Sequence, residues 1–410
     1  MNTIFSKISH YLLLLLVINL VYQLVYVNRI ESQSTYILVG AAVLFVTMRI
    51  YELLRDGLRF PPNEMYLYAV LLIIFLSFAL QGFFLTPEVD RLGTNSRTYT
   101  FNLLIVNTLW LLAGGAISRY TAKGNFLLGI LVLAPVAYLI ATSINESYLI
   151  DYDAISRDIG EPVSHIYLAD FVAYLSFMAY GYARKTRPLF LVITVLILFA
   201  CGGRTALYAA TAAILLFELS RLTRKTSLWL IAYAAVIAVG IWFVSENFSV
   251  DVENRRATSM VFSTGIEDDN SYHARLEILR VAPEGFPSQF WIGDPGFIAS
   301  RFSSMGDYIH NLLSVWQFFG FFAFAGFTFL LIRSLIKMFN ARTNELDSAL
   351  QGHSITLIYV VISVIFAKAV TFKLLWLTLG YWMLTPNASK GFPKVDRKHS
   401  KRKRRRRNRK

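Results

Sequence analysis

The chain has 410 residues, of which 55% are hydrophobic and 15% aromatic, with a mean hydropathy of +0.49. That excludes an ordinary soluble globule and is far more apolar length than one bilayer crossing uses. The formal net charge of +14 describes one end only: Lys390 to Lys410 hold thirteen Lys or Arg against Asp396 alone, so this stretch supplies +12 and the remaining chain +2.

A membrane-spanning helix needs roughly 17–25 mostly apolar residues. In chain order, apolar runs occur at Ile8 to Val27, Thr35 to Met48, Met65 to Leu85, Phe101 to Ser118, Phe126 to Ile144 and Ile166 to Ala183. They continue at Pro188 to Ala200, Thr205 to Leu219, Leu228 to Val244 and Asn311 to Leu335. The stretch Ser354 to Thr385 is long enough for two short spans hinged near Lys368 to Lys373. The expected fold class is therefore an all-α, polytopic integral membrane protein with about twelve transmembrane helices. Helices 1–9 fall in residues 1–245, one large polar loop in 246–310, helices 10–12 in 311–386, and a basic tail in 387–410. The first run has no small-residue cleavage site after its core and is followed by further spans, so it reads as a retained span.

Loop charge sets the expected orientation. Alternate connections carry Arg49, Arg55 and Arg59, then Arg119 and Lys123, then Arg184, Lys185 and Arg187, then Arg221, Arg224 and Lys225, then Lys337 and Arg342. The opposite connections are acidic or mixed, as in Glu146, Asp151, Asp153, Asp158 and Glu161 against Arg157. The positive-inside rule then places both termini in the cytoplasm and the 246–310 loop outside it. The tail, with no apolar residue to fold around in Lys401 to Lys410, reads as disordered and suited to anionic lipid headgroups rather than nucleic acid. Cys201 is the single cysteine, so no intrachain disulfide forms, and it reads as a small apolar filler.

Three features carry chemistry. Cys201-Gly202-Gly203-Arg204-Thr205 cuts the run from Pro188 to Leu219 where the chain reaches the outer face. Gly202 and Gly203 permit a tight reversal and let a polar headgroup approach the backbone, while Arg204 supplies charge. A helical-hairpin turn with Arg204 snorkelling to the interface is the plainer reading. Next, from Tyr272 the positions Leu276, Ile278, Leu279 and Val281 fit a short amphipathic helix ending before Pro283, with Arg275 and Leu279 on one face. On it Glu277 and Arg280, three apart, are spaced as a surface pair, and His273 reads as solvent-exposed. Finally Asp307-Tyr308-Ile309-His310-Asn311 ends the loop, leaving His310 near the interface in reach of water, where a neutral imidazole can serve as general base. Arg204, Arg275 and His310 thus share one membrane side, a set suited to a phosphate-bearing lipid.

Arg275-x-x-x-Leu279, Ile292-Gly-Asp-Pro-Gly-Phe297, His310-Asn311 with Gly320 downstream, and Gly203-Arg204-Thr205-Ala206-Leu207 together resemble the bacterial O-antigen ligase and O-antigen polymerase superfamily. The likeness covers Gly202 to Gly326 by motif and the rest by topology. Eight residues separate Asn311 from Gly320, and Ala323 follows, a departure from the ligase pattern that favours the polymerase branch. The resemblance implies a GT-C-like glycosyltransferase of the bacterial inner membrane. Its active site faces the periplasm, its donor is an undecaprenyl-pyrophosphate-linked oligosaccharide, and it needs no cofactor or metal. His310, Arg275 and Arg204 would be catalytic, with Arg280, Gly202, Gly203 and Asn311 at the substrate. A polysaccharide chain-length regulator and a flippase are the implied partners, besides membrane lipids. Transfer of the glycan to lipid A core is the sister activity. A transporter or glycan-lipid flippase is the rival from another class, weakened because no repeat relates the two halves. A metal-dependent transferase would use Asp151 and Asp153.

Overall fold

The computed structural model describes residues 31–55, 60–89, 93, 95–118, 137, 141–143, 150–152, 165–182, 187–220, 270–302, 308–341 and 348–385. The expected spans Ile8 to Val27 and Leu228 to Val244, most of Phe126 to Ile144, the first part of the polar loop and the basic tail lie outside the described residues. So do Arg59, Arg119, Lys123, Arg184, Lys185, Arg221, Arg224, Lys225 and Arg342, and the acidic Glu146, Asp153, Asp158 and Glu161.

What is described is helical apart from turns and one isolated bridge between Val89 and Asn95. The helices are α1 (Glu31–Arg55), α2 (Pro62–Phe84), α3 (Ser96–Ile117), α4 (His165–Tyr182), α5 (Arg187–Ala200), α6 (Arg204–Leu219), α7 (Asn270–Gln289), α8 (Gly296–Phe302), α9 (Leu313–Ala341), α10 (Ser348–Phe366) and α11 (Lys373–Leu384). Their ends follow local chemistry. Pro62 opens α2, where its missing N–H costs no helical bond. Asn95 caps α3 by accepting from the amides of Arg97 and Thr98.

Three of them, α2, α3 and α9, are long and apolar enough to cross a membrane. Their outward faces are apolar as well: Leu72, Leu76 and Phe83 on α2, Phe101 and Ile105 on α3, and Phe322, Phe329, Ile332 and Ile336 on α9 are exposed. Phe83 is 85% exposed, and Phe366 at the end of α10 is 77% exposed. A contiguous apolar surface of this extent is not left to water, and hydrocarbon covers it at no cost. Among the described residues the protein is therefore all-helical, with three helices long and apolar enough to cross a membrane. By contrast, α11 has twelve residues, all but Lys373 buried. At about 1.5 Å per residue it is too short for a hydrocarbon core of about 30 Å, and being apolar all round it sits inside the bundle. It lies along α3, where Gly114 faces the Leu377 carbonyl and Gly380 faces the Leu111 carbonyl so closely that no Cβ fits at either position.

Antiparallel neighbours give the bundle two polar ends. At one, Arg49 pairs with Glu64 at 2.6 Å, Arg333 donates to Asn63, and Lys337 donates to the carbonyls of Trp382 and Thr385. At the same end Arg187 pairs with Glu218 and donates to Gln351. Two sequence expectations are corrected here. Arg49 and Lys337 are not loop residues: α1 continues to Arg55 and α9 to Ala341. Helix persists through these cations because Glu64 neutralises the first and two α11 carbonyls hold the second. The hinge expected at Lys368 to Lys373 is present, as the link between α10 and α11. It lies at the opposite end, together with the heads of α4, α6 and α9.

Candidate active site

The reversal between α5 and α6 is built as its residues suggest. Gly202 ends α5 with φ +62, the left-handed conformation that costs glycine nothing. Gly203 is required for a different reason, since a Cβ there would stand 2.7 Å from the Ala169 Cβ on α4. The turn is pinned from outside: the Ile150 amide donates to the Ala200 carbonyl at 2.8 Å, and the Tyr152 hydroxyl to the Cys201 carbonyl at 2.8 Å. Cys201 is fully buried, and burial pushes its thiol up to about 12, so it carries no thiolate and acts as the filler expected. Arg204 opens α6; its side chain lies outside the described set.

The Arg275 helix differs from expectation in two ways. It does not stop before Pro283 but runs to Gln289 through Pro283 and Pro287. Both prolines face outward, where the carbonyls they leave unpaired can meet solvent. The far half is held by tertiary contact, with Gly285 packed on the Phe297 ring so closely that a Cβ would lie 2.6 Å from it. Nor does Leu279 seat the helix. Leu276 and Leu279 are exposed, whereas Ile278 and Ala282 are buried against Ile298 and Ile309. Arg275, Ile278 and Ala282 fall at i, i+3 and i+7, so Arg275 extends the buried stripe by one turn. That places it beside the segment carrying His310. Arg280 stands apart: its side chain is 79% exposed and bonds Glu277 at 3.1 Å. His273 is exposed, as expected.

The turn Ile292 to Phe297 and the kink in α9 lock each other. Gly320 has φ +78 inside α9, and its Cα faces the Trp291 carbonyl with no room for a side chain. A Cβ on Gly293 would lie 2.6 Å from the Gly320 and Phe319 amides. The Asp294 amide donates to the Gln317 carbonyl at 2.7 Å and the Phe321 amide to the Phe290 carbonyl at 2.8 Å. Gln81 of α2 donates to the carbonyls of Ile292 and Phe318. The spacing from Asn311 to Gly320 thus serves backbone packing on Trp291. Asn311 itself is a helix cap, its amide oxygen accepting from the Leu313 N–H at 2.9 Å.

His310 is half-buried beside this lock, its ring 4.9 Å from that of Tyr308. The preceding Ile309 amide donates to Gln317, and the Thr371 hydroxyl of the α10–α11 link donates to the Tyr308 hydroxyl at 3.0 Å. Burial, then the positive charges of Arg275 and Lys368, push the imidazole down to about 4. It is neutral at pH 7, the state a general base requires.

Two members of the constellation escaped sequence reasoning. Lys368 Nζ lies 2.8 Å from Asp170 Oδ2 on α4, and Tyr359 of α10 donates to Asp170 Oδ1 at 2.6 Å. A signal existed, since Asp170 is a charge within the apolar run Ile166 to Ala183 and such residues mark sites. Among the described residues, Asp151 is not joined by two further His, Cys, Asp or Glu side chains as a metal cluster would need, and Asp153 lies outside them. A surface depression bordered by Gln81, Thr86, Arg97, Asp294 and Pro295 is separate, containing none of Arg275, His310 and Lys368.

A pH dependence follows. Because the folded value of His310 lies below its ordinary 6.5, the folded chain binds fewer protons than the unfolded one between these values. Stability from this group is complete above 6.5 and declines as pH falls towards 4. Any activity using neutral His310 should hold near pH 5 and fall through an acid limb near pH 4. Arg275→Ala should move that limb towards neutrality, read from His310 titration by NMR; an unmoved titration would show that the two charges do not interact.

No protein-family model matches the chain, and no curated protein matches it in sequence.

Proposed function

We propose that this protein is a glycosyltransferase of the bacterial inner membrane that polymerises undecaprenyl-pyrophosphate-linked oligosaccharide repeat units into O-antigen or a related surface polysaccharide. The observation that carries the proposal is the convergence of distant motifs: Arg275, His310 and the Gly202-Gly203-Arg204 turn come to one end of the bundle, around the Asp170–Lys368 pair. That end faces the periplasm in this reading, because Arg49, Arg187, Arg333 and Lys337 gather at the other, as the positive-inside rule requires. In this reading about twelve helices make up the bundle, including those outside the described residues, with α11 too short to span.

In the reaction, the acceptor sugar hydroxyl attacks the anomeric carbon of the lipid-linked donor from the face opposite the pyrophosphate. The new glycosidic C–O bond forms as the C–O bond to pyrophosphate breaks, and the configuration inverts. Neutral His310 takes the hydroxyl proton. Arg275 and Arg204 hold the pyrophosphate oxygens, with contacts that strengthen as negative charge develops on the leaving group.

The test is the product formed by purified full-length protein from lipid-linked repeat units, alone and with lipid A core added. Long glycan on undecaprenyl pyrophosphate, with no transfer to core, is the expected result, and it should persist in EDTA because arginines neutralise the leaving group. Transfer to core without chain growth would make the protein the ligase. Loss of turnover in EDTA with recovery in magnesium would move the chemistry to Asp151 and Asp153.

A further inference from the structure

The Asp170–Lys368 pair is more than the bundle requires. The side chains are 4% and 11% exposed and meet at 2.8 Å, while Tyr359 occupies the other carboxylate oxygen. A buried ion pair adds little net stability over apolar groups of the same shape, so its presence at the rim of a site points to the charge it delivers. The link that carries Lys368 is rigid. The Val370 amide donates to Ser314 of α9, and the Val370 carbonyl accepts from Asn107 of α3 and from Trp376. Lys368 therefore has a fixed root, and Asp170 fixes its tip. An ammonium has three donors; Asp170 takes one, and among the described residues no second acceptor meets Lys368.

Its surroundings connect the two halves of the site. Ala169, next to Asp170, packs on Gly203 at the head of the Arg204 helix. Lys368 is also close enough to His310 to act on its charge, as Arg275 does from α7. Among the described residues, the titratable and charged groups around the imidazole are thus Arg275 from α7, Tyr308 before it in the chain, Lys368 from the link, and Asp170 and Tyr359 behind Lys368.

We propose that Lys368 is a further cationic ligand for a pyrophosphate group, presented beside His310 by Asp170 as its positioning residue, so that the anion bridges Lys368 and Arg275. Lipid-linked pyrophosphate as the natural source rests on the glycosyltransferase reading; the anion site itself does not. Anion binding offsets both cations that disfavour protonated His310, so the imidazole becomes a stronger base once the donor is in place.

Inorganic pyrophosphate is the probe, with full-length protein in detergent, ring-labelled histidine, and His310→Gln to identify the His310 resonance. In the wild-type protein, saturating pyrophosphate should raise the His310 titration midpoint. Lys368→Gln keeps a donor for Asp170 but no charge; its thermal unfolding midpoint should fall, because Asp170 loses its buried counter-ion, and the folded protein should bind pyrophosphate about tenfold to hundredfold more weakly. Lys368→Arg should largely retain binding. Wild-type affinity in folded Lys368→Gln would reduce the lysine to a structural tie and overturn the proposal. If Lys368→Gln does not fold, the wild-type titration decides, and an unmoved midpoint overturns it. If pyrophosphate binds through Lys368 but lipid-linked repeat units are not elongated, the anion site stands and the polymerase reading fails.

Discussion

Arg275→Ala is expected to reduce chain growth on lipid-linked repeat units by about 10²–10³-fold, the usual cost of removing one donor aimed at developing charge, without loss of folded protein. The second half of this expectation comes from packing. Arg275 extends the stripe of Ile278 and Ala282, but those two residues, with Ile298 and Ile309, make the apolar contact that seats α7. Truncating the arginine leaves that contact intact. Arg275→Lys should recover little, because an ammonium cannot make the paired, planar contact that guanidinium makes with phosphate oxygens. The comparison needs initial rates and a thermal unfolding midpoint for each variant. Wild-type rates in Arg275→Ala would remove the arginine from the mechanism.

The largest structural effect is expected at Gly320. Alanine there must adopt φ +78 and place a methyl group into the Trp291 carbonyl. With ψ 179 this is the extended, positive-φ region that essentially only glycine adopts, costing a residue with a Cβ about 1–3 kcal/mol, and overpacking adds about 1–3 kcal/mol. The loss of about 2–6 kcal/mol is a large fraction of the roughly 5–15 kcal/mol that keeps a domain folded. Should the bundle survive, the kink and the Ile292 to Phe297 turn must separate, releasing the bonds from Asp294 to Gln317 and from Phe321 to Phe290. His310 sits ten residues ahead of Gly320, on the segment that Gln317 holds through the Ile309 amide, so activity should fall with stability. A Gly320→Ala protein with unchanged melting temperature and unchanged hydrogen exchange at Asp294 and Phe321 would show that the lock carries no weight.

Much of the fold could be read before any coordinates. The apolar runs at Met65, Phe101 and Asn311 correspond to the three helices long enough to cross a membrane. The breaks at Cys201 to Gly203 and at Lys368 to Lys373 are where α5 gives way to α6 and α10 to α11. Glycine and chain polarity announce such breaks locally, because their cause is local: a backbone conformation, or the end of an apolar run. The candidate site was half legible, with Arg275 marked by its charge and helical face in the polar loop and His310 by its place where that loop ends.

What local pattern could not supply was partnership. Arg49 and Lys337 resembled loop cations until Glu64 and the α11 carbonyls proved to neutralise them within helices. Arg280 resembled Arg275 until the helix face separated them, one extending the buried stripe and the other paired with Glu277 in water. Lys368 resembled a hinge residue until folding brought it across 198 positions of chain to Asp170. The sequence by itself determined an apolar helical protein and where its helices break, since those depend on side chains a turn or two apart. Only the tertiary structure decided which charges are paired with each other, because electrostatic partners are chosen by distance in space and by shared burial.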